Sequence, residues 1–354
     1  MKVGILTQHF LLNYGGIIQN YALQQVLKKL GHEPITFEHD TCYSPLRWFL
    51  RLLKSIITNH SLKNLPQYPY KGRVGQKNFI DFIIKNIDSV TIRDFGPNLT
   101  NKHGIEAYIV GSDQVWRPAF NLGTRIFNMF LDFVPDAIRK ISYAASFGVN
   151  EWEFDEEQTL RCKELAQRFD VISVREESGI ALCKKYLNVN AIQVLDPTLL
   201  LNKEDYMHVC ENIPKEKEHI FVYSLVEKHK VMTVSNKIAS EKKLTITHLE
   251  AGDKVKENDC IEKWIAEFRD AEYIVTDSFH GMVFSIIFNK PFYIITNASG
   301  GNTRYVSLLK QLGLEDRIVF DGILSNNPIQ WDKVNNRLQS LKDKSTEFLT
   351  KNLV

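Results

Sequence analysis

The sequence predicts an α/β protein of two doubly wound, Rossmann-like domains facing a cleft. Three observations lead there. At 354 residues the chain exceeds the usual size of one domain. Short apolar strand patterns alternate with helix patterns at crossover spacing, which implies parallel sheets. The alternation pauses in a polar stretch at 202–217 and starts afresh at Ile220.

The first unit is a strand at 2–7, a loop from His9 to Gly16, and a helix at 17–30 with Ile18, Ala22, Leu23, Val26, Leu27 and Leu30 on one stripe. Gly31 stops the helix, and a second strand follows at 34–38. Residues 58–78 have weak periodicity and read as loops and short helices. Further strands are expected at 107–110, 141–145, 171–174 and 192–194, with helices near 79–87, 155–169 and 177–187. The first domain spans about 1–205, and the polar stretch with Pro214 and the charge run 215–218 suits a hinge. In the second domain, about 216–330, strands at 220–225, 244–248, 272–276 and 292–295 are separated by helices at 228–241, 260–269 and 282–288. The last helix, about 333–350 within the tail 331–354, can cross back to the first domain.

Composition excludes several classes of function. The chain is 44% apolar and 24% charged, the balance of an ordinary globular protein, and its formal net charge of +2 with no long Lys/Arg block gives no nucleic-acid partner. The five cysteines are scattered without a CxxC pair, which fits reduced thiols and no metal site. The N-terminus runs straight into a strand pattern with no signal-peptide h-region, so a cytoplasmic location is expected. No apolar stretch reaches the roughly 20 residues that span a bilayer. Residues 45–57 (PLRWFLRLLKSII) place Arg47, Arg51 and Lys54 at helical spacing among large apolar residues. Such a basic amphipathic helix either packs on the domain with its cations snorkelling or makes a weak membrane-surface contact.

The chemistry-bearing motifs fall at predicted strand ends, where parallel α/β sheets bind ligands and the next helix offers unpaired N–H groups to an anion. TDSFHG (276–281) puts Ser278 and His280 at a strand-to-helix turn. His280 can bind phosphate or donate a proton there, although Asp277 and Ser278 are also ordinary helix caps. GSDQVW (111–116) offers Ser112 in a close turn, Asp113 as a carboxylate, and Trp116 either as a sugar-stacking ring or as core. YAASFG (143–148) leaves room for substrate at Ser146 and Gly148. Arg175, directly after a short strand, presents a planar fork to phosphate or carboxylate, or pairs with Glu176 or Asp196. Gly300 to Arg304 lead into another helix, with Asn302 and Arg304 placed for anion binding. Asn13, Tyr14 and Gly15 sit in a loop that lacks a dinucleotide or P-loop fingerprint and reads instead as a cleft lining.

In their order along the chain, NYGG (13–16), VGSDQVW (110–116), YAASFG (143–148), SVRE (173–176), LDPTLL (195–200), TDSFHG (276–281) and GNTRYVSLLKQLGLEDR (301–317) resemble the polysaccharide pyruvyl transferase family. The resemblance runs from residue 3 to about 320. It implies a GT-B-like fold and transfer of the pyruvyl group of phosphoenolpyruvate to two hydroxyls of a sugar or lipid-linked oligosaccharide, forming a cyclic ketal and releasing phosphate. Phosphoenolpyruvate is then a donor substrate, and neither a cofactor nor a metal is expected. By this resemblance Arg175, Ser278, His280, Asn302 and Arg304 are donor-site candidates, with His280 as general acid and Asp113 as base. Asn13, Tyr14, Gly15, Ser112, Trp116 and Ser146 are candidates for the acceptor side. Many members carry arginine where this chain has Ser278. Arg304 is therefore the residue expected to supply that charge. Two other readings share the fold: a glycosyltransferase using a nucleotide sugar, and a glycan-binding protein without donor chemistry.

Overall fold

The computed structural model describes residues 1–10, 12–39, 76–93, 95–296, 302–320 and 322–354. The segment 45–57 and the glycines Gly300 and Gly301 lie outside the described residues. Twelve strands among them form two wholly parallel sheets. The first contains β1 (Lys2–Leu6), β2 (Glu33–His39), β3 (Ser89–Ile92), β4 (Ala107–Val110), β5 (Arg139–Ala145), β6 (Val171–Val174) and β7 (Ile192–Gln193), in the order β3-β2-β1-β4-β5-β6-β7. The second contains β8 (His219–Tyr223), β9 (Thr245–Leu249), β10 (Tyr273–Thr276), β11 (Phe292–Ile295) and β12 (Ile318–Val319), in the order β12-β11-β10-β8-β9.

The central strands show why the sheets form. β4 (AYIV) and β8 (HIFVY) are buried at every residue, as strands covered by helices on both faces must be. β5 ends in a register shift between Ser142 and Ala145, with Ala144 at φ 50°, and this re-aims the chain into the 146–148 turn. The helix Phe279–Ile287 is buried at all nine positions, which its sequence FHGMVFSII permits.

Three boundaries differ from the sequence expectation. Residues 14–16 are the first turn of the helix Tyr14–Lys29 rather than a loop, because Asn13 caps it by accepting a bond from Gly16 N at 3.4 Å. Two adjacent glycines obscured that start. The stretch 202–217 is also not a plain hinge: it contains the helix Lys203–Val209, closed by a capping box of Asn202 and Asp205. Lys29 Nζ reaches Asp205 Oδ1 at 2.7 Å, and buried Tyr206 packs edge-on against Phe284, so this connection is fastened to both sheets' helices. The short strands β3 and β12 carry too few residues to show a period.

The two sheets share one apolar core. Tyr14 stacks on Trp264 at 5.5 Å and meets Tyr223 edge-on. The C-terminal helix Trp331–Asn352 lies against the first sheet, where Ser345 Oγ accepts from Leu195 N and Phe348 meets the Tyr143 ring. Arg139 donates to the carbonyls of Asn352 and Val354. No helix of the described residues is long and apolar enough to cross a membrane.

Candidate functional site

The carboxyl ends of β4, β5, β6 and β10 converge on one buried polar cluster. Arg175 leaves β6 and lies 5% exposed, its Nη1 donating to Asp196 Oδ2 at 2.8 Å and its Nη2 to Asp113 Oδ1 at 3.3 Å. Its guanidinium sits 4.5 Å from the centroid of Phe279. The ion-pair reading of Arg175 is the one observed, with Asp196 as an expected partner and Asp113 as an unexpected one, and its buried Nε has no partner.

Asp196 organises the cluster. Its Oδ1 accepts from Thr198 N and Thr198 Oγ1, and its Oδ2 accepts from Ser112 Oγ at 2.9 Å as well as from Arg175. His280 Nε2 stands 3.8 Å from the same Oδ2, too far for a hydrogen bond and near enough for charge attraction. Burial opposes ionisation of Asp196, yet His280, Arg175 and the Thr198 bond together hold its carboxyl well below the usual range. Asp113 behaves alike: burial is outweighed by Arg175, His280 and Arg304, and its pKa is lowered. Burial also opposes the charge on Arg175, and Asp196 and Asp113 outweigh it, so Arg175 stays cationic.

His280 is the second residue of the helix Phe279–Ile287. Ser278 caps that helix by accepting from Gly281 N at 3.3 Å, and Ser278 N donates to Thr276 Oγ1. The turn tolerates no side chain at Gly281, where an added Cβ would lie 2.3 Å from Thr276 Oγ1. Across the cluster, Gly15 packs flat on the imidazole, and a Cβ there would lie 2.1 Å from Nδ1. Gly15 thus belongs to the wall of the histidine. The buried His280 Nε2 has no hydrogen-bond partner.

Arg304 enters from the helix Asn302–Leu312. It is half-buried, with its guanidinium 5.7 Å from Phe279 and 5.9 Å from Tyr305. Among the described residues no carboxylate lies within ion-pair reach of it, and its Nε and the neighbouring Thr303 Oγ1 are buried without partners. Burial and the nearby Arg175 both lower its pKa, outweighing the opposing pull of Asp113 and Glu176. Asn302 opens this helix beside them.

The remaining sequence candidates are core, cap or supporting residues. Trp116 is fully buried, stacked on Phe130 at 4.8 Å with Nε1 donating to Met129 O, so it is a core ring and cannot stack on a sugar. Tyr14 is equally buried against Trp264 and cannot touch an acceptor. Ser112 is buried with its hydroxyl spent on Asp196 and Ala144 O, and Ser146 with its hydroxyl spent on Glu176. Asn13 is exposed and occupied as a helix cap. Residue type and position cannot distinguish a ring that stacks on a ligand from one that fills the core behind it.

Three participants were missed by the sequence expectation. The sequence marks Asp196 only as an ion-pair partner of Arg175, although LDPTLL places a carboxylate after the last strand of the first sheet. Nothing in TDSFHG distinguishes Phe279 from an ordinary core ring. Glu176 is fully buried, its Oε1 accepting from Ser146 Oγ, Phe147 N and Gly148 N while Oε2 has no partner. Burial raises its pKa in spite of Arg175.

A family model described as polysaccharide pyruvyl transferase matches residues 13–299. Among solved structures, UDP-GlcNAc 2-epimerase from Methanocaldococcus jannaschii is similar over 100% of this chain and 99% of its own, at 11% identity and a TM-score of 0.51. The same protein in complex with UDP-GlcNAc and UDP covers 100% and 99% at 13% identity and a TM-score of 0.50. A co-structure of S. aureus MnaA with UDP covers 99% of this chain and 90% of that one at 10% identity, with a TM-score of 0.48. No curated protein matches the chain. At such identities the likeness concerns the fold alone, and it is the two-domain, GT-B-like α/β architecture expected from the sequence.

Proposed function

The chain belongs to the polysaccharide pyruvyl transferase family, and from that premise we propose that the cluster around Phe279 binds phosphoenolpyruvate and that the protein transfers its pyruvyl group to a sugar as a cyclic ketal. One observation carries the reading. Arg304 is a half-buried cation with no carboxylate partner among the described residues, set with Arg175 about the ring of Phe279, and His280, next to Phe279 in the chain, carries a buried Nε2 without a hydrogen-bond partner. Such an arrangement suits a small dianion that bears both phosphate and carboxylate.

In this reading Arg304 and the start of the helix Asn302–Leu312 take the phosphate or carboxylate that other members hold with an arginine at the position of Ser278. Arg175, fixed by Asp113 and Asp196, takes the other anionic group. His280 protonates the donor methylene carbon, one sugar hydroxyl adds to the cationic carbon so formed and returns its proton to His280, and a second hydroxyl displaces phosphate, its proton leaving on the phosphate. Asp113, held ionised by its cationic neighbours, is a weak base and serves chiefly to orient Arg175. The part of the chain at 216–330 is then mainly the donor side, with Arg175 reaching the donor from 1–205, which otherwise forms the acceptor side.

The test is phosphate release from phosphoenolpyruvate in the presence of saccharide acceptors, with wild type and variants compared. Arg304→Ala should weaken donor binding by about two orders of magnitude, the loss of one charge-assisted contact to a dianion. His280→Ala should abolish release and leave the melting temperature within a few degrees. Release at wild-type rate by either variant contradicts the proposal.

A further inference from the structure

A second site lies on the first sheet, apart from the arginine cluster. At the carboxyl ends of β1 and β2 there is a cavity of about 70 Å³, lined among others by Thr7, Gln8, Glu38, Phe95, Phe120 and Arg125. The lining combines aromatic surface with a carboxylate, an amide and a cation, the mixture by which pockets recognise polyhydroxylated rings: apolar C–H faces on an aromatic, hydroxyls on polar groups.

The geometry is built rather than incidental. Phe120 is 52% exposed, but its ring is fixed: it ends the turn Pro118–Phe120, the guanidinium of Arg117 covers one side at 5.1 Å, and Asn121 ties the turn to Val115 O and Arg117 O. Glu38 also lines the cavity, with Oε1 accepting from Phe10 N at 3.3 Å and lying 3.7 Å from His9 Nδ1, within reach of charge attraction. Burial pushes its carboxyl up to about 7, against the pull of that N–H, so near neutrality it is both a hydrogen-bond acceptor and a donor.

The cavity shares a wall with the buried cluster. Thr7 lines it and donates through Oγ1 to Ser112 O, while Gln8 lines it and donates through Nε2 to Gln114 O. These bonds hold the turn that carries Asp113. Glu38 lies on β2, two strands from β4 in the order β2-β1-β4. Adjacent strands are about 4.8 Å apart, so β2 and β4 lie roughly 10 Å apart across the sheet.

We propose that this cavity, smaller than a whole pyranose, is an acceptor subsite that seats one edge of a glycan ring, with Phe120 beneath that edge and Glu38 bonded to its hydroxyls. The proposal rests on the pyruvyl-transfer reading for the word acceptor, but the binding it asserts is measurable without any donor. The buried Trp116, Tyr14 and Ser146 leave the acceptor-side role open, and this cavity fills it with Phe120 and Glu38.

The experiment titrates methyl pyranosides (galactoside, glucoside, mannoside, N-acetylglucosaminide and N-acetylmannosaminide) into the full chain by saturation-transfer NMR, using wild type, Glu38→Gln and Phe120→Ala. At least one pyranoside should bind, and each variant should weaken it about tenfold, the usual loss for one hydrogen bond or aromatic contact. Equal affinity in both variants, or no pyranoside bound by wild type, overturns the subsite. A parallel phosphoenolpyruvate titration separates the two ideas: donor binding with variant-insensitive pyranoside binding rejects the subsite alone. Variant-sensitive pyranoside binding without donor binding supports the subsite and rejects the transferase reading.

Discussion

At the level of single residues, Gly15 shows how closely the two halves of the chain are fitted at the candidate site. Its missing side chain is the space that the His280 ring occupies. Gly15→Ala should therefore push the imidazole aside, costing about 1–3 kcal/mol by overpacking and reducing turnover. Removing the ring restores the space, so Gly15→Ala combined with His280→Ala should unfold at a midpoint close to that of His280→Ala alone. Chemical denaturation of the four proteins of the cycle checks this, and additive losses would show that the two residues do not share the space. This partnership was not legible in the sequence, where Gly15 reads only as a loop residue lining the acceptor side of the cleft. Arg175 and His280 were legible, because polar residues at strand ends of a parallel sheet have few other places to point. Trp116 was misleading for the converse reason: only the neighbouring Phe130 and Phe147, 14 and 31 positions further on, reveal that its surroundings are apolar.

Elements are held in register by polar contacts at both ends of the second sheet. At its amino end, His219 opens β8 and its Nε2 lies 2.8 Å from Glu267 Oε2 on the helix Ile261–Asp270, both buried. Burial lowers the pKa of His219, but the Glu267 and Lys217 partners outweigh it, and the net shift is upward from 6.5. A histidine so raised stabilises the fold fully below about 6.5, and the contribution fades as pH climbs through the folded-state value. The melting temperature should thus decline from pH 6 toward pH 9 more steeply in wild type than in His219→Gln, as differential scanning calorimetry would show. Parallel slopes would mean that the pair carries no linked proton. At the carboxyl end, Asp277 gathers the backbone N–H groups of Leu225, Val226 and Glu227, which fastens the loop after β8 to the turn before His280. The order of strands and helices could be read from sequence period. The helix Lys203–Val209 could not, since its seven residues offer less than two full turns of pattern and its cap resembles an ordinary polar loop.

Across the whole molecule, the two parallel sheets meet through aromatic packing rather than through an open cleft at this point of the interface. Tyr14 on the first helix is sandwiched among Trp264, Tyr223 and Phe79. Trp264→Ala should cost about 3–5 kcal/mol and lower the unfolding midpoint of both halves together, because the cavity opens in a core they share. Two separate transitions, with only the second half weakened, would show that the halves fold independently. The convergence of Arg175, Arg304 and His280 on Phe279 is the consequence of this assembly that matters for function: β6, β10 and the helix Asn302–Leu312 contribute one cationic or titratable side chain each. Calorimetric titration with phosphoenolpyruvate, with UDP as the comparison ligand, tests that convergence most directly. The structure predicts saturable binding of phosphoenolpyruvate that is lost in Arg175→Ala and in Arg304→Ala, with UDP bound more weakly. Tight UDP binding with no phosphoenolpyruvate binding would contradict it and assign the site to a nucleotide-sugar enzyme.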